Sequence, residues 1–319
     1  MKKQSDILVI GRDYKAQVFA HFLPPEQTAV LISSEGASEE PPEKVSYLGN
    51  GEFPETAEKI FGKDLKDLFW SLSQKNQEEI FNFSKTQPLD ATSTQVKWVK
   101  ENRLESGVRF NPHALNRLPS LRTSQTLKIE GAGLDLRVIT DSEEYEPKII
   151  ILVDDYLATK NFTYLADKCI PVTLPLYAQK LKGASNPELE LFNAGADFTY
   201  TGESLRYFGS FRNLFQDKAV GLKVGSDPVS EKNIRSFFSA SGQLDNDEEL
   251  LCFSLLESIS CDGLPIVGNL PQLPNVHVCI GFAGKPQNFI FEVAKRMAKG
   301  ILSHGQTDGL EAFSTKRFI

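Results

Sequence analysis

Ile7, Leu8, Val9 and Ile10 run without a polar interruption into Gly11. This stretch constrains the fold more than any other. Four consecutive apolar side chains bury both faces of a strand, the pattern of an interior strand in a parallel sheet. The glycine then permits a tight turn into a helix, on which Val18, Phe19, Phe22 and Leu23 share one side. Pro24 and Pro25 end that helix, and Ala29 to Ile32 supply a second apolar strand. Strand, helix and strand in about thirty residues make a βαβ unit, and such units build parallel sheets.

The chain has 319 residues, enough for one large or two interleaved domains, and its 40% hydrophobic content makes it globular. Glu35 to Glu43 is a polar, proline-bearing loop. Phe61, Leu65, Leu68, Phe69 and Leu72 recur at helical spacing, and the helix continues through Asn76 to Phe83. From Gln95 the texture turns to strands: TQVKWV, TLKIEG, LDLRVI and the fully apolar core of KIIILVDD (Lys148 to Asp155). Residues 161–240 alternate short strand candidates, PVTLPLYAQ and AVGLKVG among them, with loops. Ile290, Val293, Ala294, Met297, Ala298, Ile301 and Leu302 mark one face of a last helix opening near Pro286.

Several function classes are excluded. A formal charge of −7 with no basic run argues against nucleic acid or an anionic membrane as partner. Cys169, Cys252, Cys261 and Cys279 have no metal or redox spacing, so they are expected as free core thiols, with no metal bound. No stretch approaches the ~20 apolar residues of a membrane span. The run after MKKQSD is too short for a signal peptide's core, so a cytoplasmic location is expected. Hydrolase elbows, zinc-protease helices and phosphate-binding P-loops are missing from the sequence. His21, His113, His277 and His304 stand apart from one another. His277 belongs to a strand, His113 to a helix start, and Asp262 to a turn through Gly263. Tyr156, Tyr164, Tyr177 and Tyr207 are candidates to line a pocket.

The turn after the first strand is the informative one. A dinucleotide fingerprint uses one glycine for the turn, a second for backbone approach to the pyrophosphate, and a third for helix–strand packing. Here those positions hold Gly11, Asp13 and Ala16. Alanine is accepted at the third. Asp13 adds both a side chain and a negative charge where phosphate would approach. At ~4 Å and an effective dielectric near 20, each such repulsion is worth about 4 kcal/mol. The other role open to Asp13 is an N-cap, its carboxylate taking the helix's own anion site. The ribose-binding acid belongs at the end of the second strand, where counting gives Ser34, with Glu35 one residue later.

The segment Cys261 to Leu302, beginning CDGLPIVGNLPQLPNVHVCIGFAG, together with the N-terminal βαβ, resembles the D-amino-acid-oxidase-like family of FAD-dependent oxidoreductases, which includes glycine oxidase and sarcosine oxidase. The matching residues are Asp262, Gly263, Pro265 and Gly268, then Gly281 and Gly284, and the closing KRF (Lys316 to Phe318) is similar to the family's Arg-Phe ending. The resemblance implies an α/β chain: a Rossmann-like FAD-binding fold built from both chain ends (1–45, 100–160 and 250–319) with an inserted, mainly antiparallel α+β substrate domain (46–99 and 161–249). It implies FAD at Gly11, Asp13, Ala16, Ser34, Glu35, Gly281, Gly284 and Lys285. The amides of the loop GFAGKPQN would face the flavin's pyrimidine edge, and Lys285 would place a cation near its N1–C2 oxygen. A solvated lysine at a helix start is the other role for Lys285. No catalytic residue is assigned.

The departures from the family pattern meet around one ligand. Pro286 stands where glycine is usual, Asp154 and Asp155 where small residues are usual, and Leu255 and Glu257 where a Gly-x-Arg element is usual. Arg206 and Arg212 are candidate replacements for that arginine, or ordinary surface residues. Two functions follow. One is a flavoprotein that oxidises a small amine-like substrate by hydride transfer to FAD. The other is a flavin-free binding or regulatory subunit with a protein partner.

Overall fold

The apolar run forms the strand Ile7–Gly11, every residue of it buried. A computed structural model describes residues 2–3, 5–33, 43–112, 115, 122–124, 127–131, 135–183, 185–202, 204–211, 220, 228–244, 249–303 and 309–319. In it that strand is interior to a six-stranded sheet, ordered Ile266–Leu270, Leu273–Ile280, Ile149–Leu152, Ile7–Gly11, Thr28–Ser33 and Arg122–Ser124. All neighbours are parallel except the first pair. Both chain ends thus supply this sheet, as expected. Leu152 pairs with both Ile10 and Val278, so three adjacent parallel strands finish at one edge. The carboxyl ends of such strands are where open α/β sheets hold ligands.

The second sheet has eight strands, in the order Leu251–Ser260, Cys169–Lys180, Leu205–Ser210, Asp197–Thr201, Glu188–Phe192, Asp90–Trp98, Arg103–Asn111 and Lys44–Ser46. It is antiparallel but for one pair, Glu188–Phe192 with Asp90–Trp98. Arg103–Asn111 and Leu251–Ser260, which the sequence assigned to the nucleotide-binding part, lie in this larger sheet. The stretches TLKIEG and LDLRVI form Leu127–Glu130 and Arg137–Thr140, paired antiparallel in a small four-stranded sheet. AVGLKVG falls outside the described residues except for Val220, which bridges to Val172.

Three boundaries differ from expectation for local reasons. Gly62, at φ +78°, divides the first helical stretch into Pro54–Phe61 and Lys63–Ser84, so Phe61 is not on the long helix. Pro286–Asn288 makes a separate single turn, and the last helix starts only at Ile290, with Leu302 exposed at its end. The strand Ile149–Leu152 stops short of its two acids, because Asp154 caps the helix Asp155–Asn161. The thiols need one correction. All four are free, but only Cys169 and Cys279 are buried: Cys252 is half-buried, and Cys261 is exposed as it follows the edge strand into the Asp262 turn.

Asp262 accepts Leu264 N at 3.1 Å, as an Asx turn requires, and both its oxygens receive the Arg317 guanidinium at 2.7 and 3.0 Å. The Arg-Phe ending is therefore a clasp on this turn. No helix among the described residues is long and apolar enough to cross a membrane. No group of His, Cys, Asp and Glu among them is placed to hold a metal. His113 and His304 lie outside the described residues, and His21 packs on Phe22 and Phe83.

His277 sits inside the strand Leu273–Ile280, where burial pushes its imidazole down to about 4. The unfolded chain therefore binds the extra proton first, and folding loses stability as pH falls from 6.5 towards 4. The loss expected over that window is about 3 kcal/mol. Urea midpoints measured across the window should show it, and His277→Gln should remove most of it.

Candidate functional site

Gly11 is required by contact. A Cβ there would lie 2.7 Å from Val153 Cγ2 and 2.8 Å from the Cβ of Ala16. Strand, helix and the next parallel strand meet at that point, and Ala16 is fully buried beneath it. Asp13 follows in extended backbone, φ −139°, and caps the helix Tyr14–His21 by accepting Lys15 N at 2.8 Å on Oδ1. The anion position that the helix amides and dipole create is thus held by the chain's own carboxylate.

A buried charge cluster continues from there. Lys15 is 3% exposed, and its Nζ lies 3.3 Å from Asp13 Oδ2 and 3.5 Å from Asp155 Oδ2. Asp155 Oδ1 accepts Gly281 N at 2.8 Å and the Ser258 hydroxyl, which in turn accepts Cys169 Sγ at 3.0 Å. Arg12 Nε stands 3.3 Å from Asp154 Oδ2, while Asp154 Oδ1 caps the next helix through Leu157 N at 2.9 Å. Burial pushes the Asp154 carboxyl up, and Arg12 opposes it. Two cations face three carboxylic groups at the shared edge of three strands.

The glycine loop reaches the same edge. Gly281 and Gly284 hold φ of +78° and +80°, a conformation open to glycine without strain. Three of its amides are spent internally: Gly281 N on Asp155, Ala283 N on Ser258 O at 3.1 Å, Lys285 N on Phe282 O at 3.1 Å. The first turn of the last helix is served from the long helix. Asn76 Oδ1 accepts Phe291 N at 2.8 Å and Glu292 N at 3.3 Å, and its Nδ2 donates to Gln287 O at 2.9 Å.

Lys285 is buried, not solvated, and already has partners within the chain. It is 6% exposed, donates to Asn50 O at 3.1 Å, approaches Glu52 at 3.6 Å and lies 4.4 Å over Phe211. A Cβ on Gly51 would strike its Cε at 2.8 Å. Ser34, Glu35 and Arg212 lie outside the described residues. Arg206 is engaged with Thr201 and Gln243, and Glu257 is buried on the edge strand beside Leu255. Of the four tyrosines, Tyr207 lines a cavity, Tyr177 packs into a separate apolar cluster, and Tyr156 and Tyr164 pack under the six-stranded sheet.

No protein-family model matches the sequence, and no curated protein matches it by sequence. Solved structures do match along the whole chain. L-proline dehydrogenase from P. horikoshii has a TM-score of 0.68 at 12% identity, covering 100% of this chain and 98% of its own. Iminodiacetate oxidase from Chelativorans sp. gives 0.65 at 13% (97% and 98%), and glycine oxidase from Geobacillus kaustophilus 0.64 at 12% (99% and 99%). The fold is that of the D-amino-acid-oxidase-like flavoenzymes. The α/β architecture and the resemblance read from the two chain ends both hold at this level.

The fold carries over, but its cofactor residues do not fit FAD. A pyrophosphate at the first turn would meet the carboxylate of Asp13, with Asp154 and Asp155 close behind. Of the loop amides expected at the flavin edge, those of Gly281, Ala283 and Lys285 already have partners. Sequence reading missed Lys15, Asn76 and the hub role of Asp155. A lysine two residues after a capping aspartate, opposite a second aspartate at a strand end, was the available signal. Nothing in the sequence pointed to Asn76.

Lys15→Met should leave Asp13 and Asp155 buried without their cation. The expected cost is about 3–5 kcal/mol, read as a lower denaturation midpoint, and Lys15→Arg should recover part of it.

Proposed function

We propose that this chain is a flavin-free protein of the D-amino-acid-oxidase fold, a binding or regulatory subunit acting with a protein partner. The observation that carries the proposal is Asp13. Its carboxylate bonds the first helix's own amide and is tied to Asp155 through Lys15. The bonded amides at Gly281 and Ala283 and the Asn76 cap on the last helix support it. At each of these places a donor that a dinucleotide would require is engaged within the chain.

A second reading is favoured by the likeness to amine-oxidising enzymes over nearly the full length. It is an FAD-dependent oxidoreductase that takes hydride from a small amine-like substrate, and the relatives named for proline, iminodiacetate and glycine suggest that class. The visible spectrum separates the two. Purified protein is expected to be colourless and to take up no added FAD in equilibrium dialysis. A yellow protein with flavin absorbance would overturn the proposal. Asp13→Gly is expected to stay colourless too, because the loop amides keep their partners; flavin uptake by that variant would mark Asp13 as the sole barrier.

A further inference from the structure

A half-open cavity of about 70 Å³ lies between the eight-stranded sheet and the glycine loop. Its wall is apolar, with Leu174, Leu176, Leu191, Phe198, Phe211 and Leu255 contributing. Tyr47, Tyr200 and Tyr207 add three rings. Burial pushes all three hydroxyls up, Tyr207 to about 12, so they stay neutral at physiological pH.

The charged groups at the wall are already matched. Glu43 accepts Arg109 Nη1 at 3.1 Å and the Tyr200 hydroxyl. Lys44 has a partner of its own. Lys285, beside Gly284, is held by Asn50 O, Glu52 and the Phe211 ring. A carboxylate or ammonium entering here would be desolvated without a counter-ion, which is far costlier than burying an apolar group. The volume is roughly five times what one water needs and about half that of an apolar cavity known to take benzene.

We infer that this cavity binds an uncharged, largely apolar molecule of about four to six non-hydrogen atoms, such as a small alcohol, and not an amino acid or an amine. The inference rests on the flavin-free reading, because a flavin beside Gly284 would rebuild this wall. It gives the proposed binding protein a ligand class that differs from the substrates named for the enzymes sharing its fold.

The test uses the full chain and two-dimensional NMR with four probes of similar size: isobutanol, isobutylammonium, isobutyrate and sarcosine. Saturable shifts are expected with isobutanol alone, in the millimolar range. Leu176→Phe, which fills the space, should weaken that binding at least tenfold. Val45 also lines the wall, so Val45→Ala, which enlarges the space, should keep that binding and admit benzyl alcohol as well. The inference is overturned if a charged probe binds while isobutanol does not, or if isobutanol shows no saturation. It is equally overturned if a folded Leu176→Phe binds unchanged, or, should that variant not fold, if Val45→Ala fails to admit benzyl alcohol. The spectrum of the same sample keeps the two claims apart: yellow protein defeats the flavin-free reading, whereas colourless protein that ignores isobutanol defeats only this one.

Discussion

The ion chain Asp13–Lys15–Asp155 is the constraint from which the rest of the site follows. It joins the turn after one interior strand to the turn after its neighbour, and Asp155 passes the connection to the glycine loop through Gly281 N. Buried ion pairs are poor sources of net stability, because desolvating the ions offsets much of their attraction. Their effect here is on geometry. With Lys15 between them, two carboxylates can lie at the convergence of three strands, where either alone would repel the other.

That arrangement changes what the strand ends can recognise. In a dinucleotide site the helix amides and glycine-loop amides point at a ligand that supplies the negative charge. Here Asp13, Asp154 and Asn76 supply acceptors to three different helix N-termini, and Asp155 supplies one to the loop. Four separate substitutions of an internal acceptor for an external one are mutually consistent. A single aspartate in a fingerprint would be a weaker sign, since a neighbouring amide left open could still draw a phosphate.

The sequence made some of this legible. The parallel sheet was readable because four apolar residues bury both faces of a strand, and the last helix because its apolar face repeats over three turns. The cap at Asp13 was readable because an N-cap is a local event between residues two apart. Lys15 was not, because a lysine in a first turn is ordinarily solvated, and only the neighbouring strand's Asp155 gives it a reason to turn inward. Asn76 was illegible for the same reason at longer range, serving a helix more than two hundred residues away. Lys285 fell between the two roles expected of it: its partners come from the segment around Asn50, which no local pattern connects to the loop. Arg103–Asn111 and Leu251–Ser260, expected in the nucleotide-binding part, join the larger sheet, and alternation along a strand does not say which sheet it joins.

Self-satisfied strand ends also alter how stability is linked to ligand. A protein that leaves amides waiting for a cofactor gains stability from the cofactor by mass action and forfeits it when empty. This chain places acceptors on its own side chains, where they are held intramolecularly at high effective concentration. On the proposed flavin-free reading, the fold persists with no cofactor-linked term. On the same reading the space beside Gly284 serves no ring system. What remains there is an apolar cavity whose charges are paired before any ligand arrives. On the flavin-free reading proposed above, paired charges around an apolar wall would make this position select against a charged ligand.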